Sequence, residues 1–276
     1  MEGKDLTKGN LLKNMLYLLI PLLLTNLLNS IYNIVDGIWV GNLVGEAGVS
    51  AITNSFPIIT IIRSIGYGVF TAVSILVAQY YGAKKFEKIK DLLGTVYLIS
   101  IIIGVISIIG IYLTSNIWLN LLNTPKEVFE VTKQYLLINI IGLLFNMILT
   151  DIIMALRAIG NTKIPLVFVT ITSILNIILD PIFIKIGMGV TGTAVATTIS
   201  IFIGLIISII YVNKKSKLLN IEFNYLKLKK ENIKQIIKLG LPITFEEIFL
   251  AIVAVFSVGI SNQAGTAGSA AYGIRR

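Results

Sequence analysis

Seven stretches of this sequence run for more than twenty residues each with few charges, at about 11–41, 49–81, 92–118, 128–159, 164–186, 190–212 and 233–262. A helix needs about 20 apolar residues to cross the hydrocarbon of a bilayer. The runs therefore predict an all-α polytopic membrane protein with seven spans and an eighth starting near Gly268. Several exceed the minimum, which implies tilt or extension past the bilayer. The first, behind Lys4, Lys8 and Lys13, is too long for the apolar core of a cleaved signal peptide, and no small-residue cleavage site follows it. Composition agrees: 13% charged residues and a mean hydropathy of +0.88 exclude a water-soluble globule, which carries roughly 25% charge. The net charge of +9 lies in short clusters between apolar runs, as expected of membrane loops and not of a nucleic-acid surface. With neither histidine nor cysteine, the sequence excludes thiol chemistry, disulfides, the usual zinc sites and imidazole catalysis. No enzyme site is expected, and any protonation chemistry falls to carboxylates.

The bases also set an orientation, because cytoplasmic loops keep the positive charge. The amino terminus, the segment from Lys84 to Lys88, Arg157 with Lys163, and the stretch from Lys214 to Lys238 alternate with connections holding few bases, such as Lys126 and Lys185. The amino terminus is therefore expected in the cytoplasm. An internal repeat divides the chain. NLVGEAGVSA at 42–51 returns as NQAGTAGSAA at 262–271, and Leu19-Ile20-Pro21 is answered by Gly240-Leu241-Pro242. A period of about 220 residues gives six helices per repeat, related in parallel because six is even. The expected organisation is an amino-terminal six-helix lobe at 1–212, a cytoplasmic linker at 213–232, and the start of a second lobe at 233–276.

Polar side chains inside the spans are the functional candidates, since a charge at the bilayer centre costs at least ~2.5 to 3.5 kcal/mol. Asp36, Asp180 and the pair Glu246 and Glu247 stand out, with Asp151 and Arg63 behind them. In the first span Asn26, Asn29, Asn33 and Asp36 fall on one stripe, with Tyr32 a turn before the acid. In the fifth, Asn176 and Asp180 share a face and Pro181 loosens the backbone beside the acid. The sixth carries Thr193, Thr197, Thr198 and Ser200. At ~1.5 Å per residue, Asp36 lies about 8 Å, Asp180 about 9 Å and Thr197 about 11 Å below the outer ends of their helices. A common depth predicts a shared pocket. Two carboxylates in it would repel when both are ionised unless a proton or cation enters between them, which is the chemistry of a coupling-ion site. Asp151, near Arg157, reads as an ion-pair or gating residue outside the pocket.

Taken in order, these marks resemble the multidrug and toxic compound extrusion (MATE) family over essentially the whole chain. They are Pro21 with Asp36, SILVAQYYGAK at 74–84, LRAIGNTKIP at 156–165, NIILDP at 176–181 and GVTGTA at 189–194. The resemblance implies twelve helices in two six-helix lobes, with a drug path between them that opens alternately inward and outward. It also implies coupling to protons or sodium through residues matching Asp36, Asn176 and Asp180, with Tyr32 and a helix-six threonine nearby, Thr198 being preferred to Thr197. Sodium, if used, would sit at Asp36, Asn176 and Asp180. Pro21 resembles a proline that bends helix one when the acid is protonated, and Pro181 is a second bending point.

The expected function is cation-coupled antiport, with H+ or Na+ entering as a small drug or metabolite leaves. Asn29, Asn33 and Arg63 are candidates for the substrate path. The resemblance further implies a multi-pass protein of the plasma membrane, monomeric at full length, with no cofactor beyond the coupling ion and no nucleic-acid partner. Two alternatives stand beside it. One is a flippase for lipid-linked saccharides of the same superfamily, which would present several cations to a pyrophosphate, whereas only Arg63 is available. The other is a truncated, non-transporting fragment.

Overall fold

The structure, a computed structural model, describes residues 10–274, so Lys4 and Lys8 of the basic amino-terminal segment lie outside them. Eight helices follow in order: α1 (Leu11–Leu43), α2 (Glu46–Gly82), α3 (Phe86–Leu121), α4 (Phe129–Ala158), α5 (Lys163–Phe183), α6 (Val190–Lys215), α7 (Lys230–Ser261) and α8 (Gly265–Ile274). No strand occurs among the described residues. Among the described residues, seven segments are long and apolar enough to cross a membrane. Several helices outrun their apolar runs. α3 begins at Phe86 although its apolar run opens near residue 92, because Glu87, Lys88, Lys90 and Asp91 continue the helix in polar surroundings.

Burial is inverted relative to a water-soluble protein. Leu113 is 72% exposed and Phe256 68%, while Asn54, Ser55, Thr132, Asp151 and Asp180 are fully buried. Apolar side chains gain nothing by leaving lipid, so the bundle is held by close packing and by hydrogen bonds between its polar groups. α2 and α4 are the most enclosed helices, and Val69, Val73, Leu149, Ile152 and Leu156 meet in the main core. α7 packs along α2, where Gly68 and Gly240 bring the two backbones together. A Cβ on Gly68 would collide with Thr244 and the Gly240 carbonyl.

The repeat is visible in backbone geometry. Gly45 precedes α2 with φ 81 and ψ −159, and Gly265 opens α8 with φ 73 and ψ −162. Only glycine adopts this conformation readily. The α7–α8 corner therefore repeats the α1–α2 corner.

Pro21 has no N–H to offer the Tyr17 carbonyl one turn back. The Thr162 hydroxyl, from the turn before α5, donates to that carbonyl at 3.5 Å. Thr25 in turn donates to the Pro21 carbonyl at 2.7 Å. Between α6 and α7, residues 216–229 lie against α3: Tyr225 donates to Glu87 at 2.5 Å, and Lys229 pairs with Asp91 at 2.6 Å. α5 ends in a widened turn, Ile184–Met188, just after Pro181.

Candidate functional site

Helices α1, α5 and α6 converge, each bringing one part of a polar cluster. Asn176 and Asp180 lie four residues apart on α5, so both face the same neighbours. The Asn176 amide donates to Asp180 Oδ1 at 3.3 Å and to Thr197 Oγ1 of α6 at 3.0 Å. Thr197 then meets the Tyr32 hydroxyl of α1 at 3.5 Å. One turn beyond Tyr32, the Asp36 carboxyl faces that of Asp180 closely enough for one proton to join them in a hydrogen bond. The two aspartates share one recess.

The cluster is short of donors. Asp36 Oδ1, Asp180 Oδ2 and Asn176 Oδ1 are buried and have no hydrogen-bond partner among the described residues. A buried acceptor left unpaired typically costs about 1–3 kcal/mol. A proton satisfies one such oxygen, and a hard cation such as Na+ gathers several, so the donor set fits either. Among the described residues no group of three or more acids places itself around a metal ion, so a cation here would draw on amide and hydroxyl oxygens as well. Next to the carboxyls lies a cavity of about 120 Å³, lined by Asn29, Tyr32, Asn146, Thr172, Ser173, Asn176, Thr197, Ser200 and Ile201.

The structure separates residues that the sequence could not. Thr198, the preferred threonine, does not reach the cluster: its hydroxyl donates to the Ile138 carbonyl of α4 at 3.4 Å, and its side chain lies against Gly142. Successive helical residues point about 100° apart, so when Thr197 faces α5, Thr198 must face elsewhere. Of the α1 stripe, Asn29 lines the cavity whereas Asn26 and Asn33 are exposed outside it. Arg63, on α2, is within electrostatic reach of Tyr32 but does not line the cavity. Thr193 is buried and bonds its own helix at the Val190 carbonyl, 2.9 Å away.

Asp151 is not the expected ion-pair residue. It is fully buried and accepts from Ser100 at 2.6 Å, and among the described residues it makes no ion pair with Arg157. Six residues apart, the two side chains point about 120° away from each other around α4. Glu246 is exposed and Glu247 half-buried on α7, neither lining this cavity. The residue missed from sequence is Tyr135 of α4, buried within electrostatic reach of Asp36, Asp180 and Tyr32. The depth count would have found it, because Tyr135 lies six residues, about 9 Å, in from the start of α4.

A helical bundle inverted toward lipid, with acids and amides gathered between three of its apolar helices, has the construction of a membrane transporter. The MatE family model matches residues 21–182. The chain belongs to the MatE family of membrane transporters. It is 30% identical to the probable multidrug resistance protein YoeA of Bacillus subtilis, the match covering 97% of this chain and 60% of that protein. The Staphylococcus aureus multidrug export protein MepA is 26% identical over 97% of this chain and 59% of its own length. Among solved structures, a MOP superfamily transporter from Pyrococcus furiosus superposes with a TM-score of 0.86 at 25% identity, covering 98% of this chain and 61% of that one. The chain thus spans about three fifths of the length of these relatives.

Proposed function

We propose that the chain serves in a cation-coupled exporter of drugs or other toxic small molecules, with the Asp36–Asp180 recess as the coupling site. The observation that carries this reading is the facing pair of carboxyls with unpaired oxygens, tied through Asn176 and Thr197 to Tyr32. A proton or Na+ entering from the outer side cancels the repulsion between them and the cost of holding charge out of water. α1 then repacks about Pro21, where its hydrogen-bond ladder is already interrupted, and the outward state loses affinity for the drug. Drug and ion bias the same two-state element in opposite directions, so each weakens the binding of the other by the same factor. The names of YoeA and MepA support drugs as the substrate class. The alternation of basic and base-poor connections supports an amino terminus in the cytoplasm, and the export protein MepA among its relatives supports a place in the plasma membrane. A flippase reading finds less support, because no cation lines the recess.

The test is ethidium efflux from cells lacking their own exporters, measured with and without a sodium gradient. Asp36→Asn and Asp180→Asn should each abolish efflux while leaving the protein in the membrane at normal levels. Efflux that survives Asp36→Asn would refute the role. A collapse on removing the sodium gradient assigns Na+, and insensitivity to it assigns H+.

A further inference from the structure

A second cavity, about 260 Å³, opens on the seam between α2 and α7, away from the recess described above. Its lining has a regular origin. Leu76, Gln79 and Tyr80 come from α2, and Gln235, Lys238 and Leu239 from α7. Each trio has i, i+3, i+4 spacing, so one face of each helix supplies it. The helices touch through Gly68 and Gly240, and these larger side chains line the seam beyond that contact. The Tyr80 hydroxyl donates to Gln235 Oε1 at 2.7 Å across the gap. The Lys88 ammonium stands 5.9 Å from the centre of the Tyr80 ring. The lining is thus two leucines beside two amides, a tyrosine and a lysine.

The charge around this end of the molecule is unbalanced. Residues 84–91 and 213–238 hold twelve lysines against four acids. All four acids are already engaged. Glu231 is 3.9 Å from Lys88, Glu222 is 2.8 Å from Lys90 and Asp91 is 2.6 Å from Lys229, while Glu87 accepts from Tyr225 at 2.5 Å. These two segments hold no further acid to balance the remaining lysines. A basic pocket between membrane helices, with an apolar wall beside its polar rim, fits a ligand that is anionic at one end and hydrocarbon at the other.

We propose that the α2–α7 cavity binds an anionic phospholipid, its phosphate against Lys238 and its acyl chain along Leu239. The lipid bridges the first repeat and the start of the second. Native mass spectrometry of the purified chain, offered phosphatidylglycerol or phosphatidylcholine in mixed micelles, tests this. The chain should retain phosphatidylglycerol in preference. Lys238→Gln should weaken its binding about fivefold, the worth of one lysine at a membrane surface. Lys238→Arg should bind like the parent, which also reports an intact seam. Lys217→Gln makes the same charge change at an exposed residue outside the cavity and should alter binding by less than about twofold. Equal losses in the Lys238→Gln and Lys217→Gln variants would overturn the site in favour of diffuse attraction. Displacement of the lipid by excess inorganic phosphate would overturn it in favour of a soluble anion.

Discussion

Asp36 and Asp180 were legible because a carboxylate inside a membrane span has no ordinary reason to be there, and their equal depth singled them out from the other acids. The choice between Thr197 and Thr198 was not legible. It depends on the rotation of α6 about its axis, which is set by α5 on one side and α4 on the other. The structure makes this a clean comparison. Thr197→Val removes the acceptor of the Asn176 amide and should weaken ion binding about tenfold, the worth of one buried hydrogen bond. Thr198→Val leaves the cluster intact and should bind as the parent does. Isothermal titration of the purified chain reads both, and the reverse ranking would place the wrong threonine in the site. Tyr135 escaped notice because an aromatic in a membrane helix is commonly a packing or interfacial residue. Only its depth distinguishes it.

The helices themselves were readable from apolar runs, and their ends less so. Hydropathy reports where lipid must be, whereas a helix stops where its backbone is capped or turned. α3 thus starts about six residues before its apolar run. The corners carry their own signal. Neither Gly45 nor Gly265 has any atom within 4 Å of where a Cβ would stand, so replacing either with alanine meets only backbone strain. Gly45→Ala and Gly265→Ala should therefore each cost about 1–3 kcal/mol, and by similar amounts, in thermal unfolding of the detergent-solubilised chain. Unequal costs would mean that the two corners are not equivalent. Pro21 differs in kind. Pro21→Ala restores an N–H that can compete with Thr162 for the Tyr17 carbonyl, and in our account it slows efflux while leaving ion binding unchanged.

Across the whole molecule, inverted burial and the repeated corner were foreseeable from composition and from the repeat at 42–51 and 262–271. The docking of residues 216–229 on α3 was not, since it rests on individual ion pairs between segments far apart in sequence. One of those pairs, Lys90 with Glu222, gives the connection a pH dependence. The hydrogen bond from Lys90, with a second from Asn220, holds the Glu222 carboxyl below its ordinary value of 4.5. A carboxyl lowered in the folded state adds stability that is complete above the unfolded value and is lost as pH falls through the folded one. Pepsin cleavage of this connection should thus rise as the medium is acidified below about 4.5. Measured against an unfolded substrate cleaved by the same pepsin, Glu222→Gln should reduce that rise, and an unchanged rise would show that Glu222 does not hold the connection.

The account turns on one ion being shared by two acids from different helices. Uptake of radioactive sodium and of protons by the purified chain, measured for Asp36→Asn, Asp180→Asn and the double variant, addresses this directly. If the carboxyls form one site, each single change removes the binding and the double adds nothing further, a fully non-additive cycle. Losses that simply add, or binding that survives either single change, would mean that the two aspartates act apart, and the coupling site would have to be sought elsewhere.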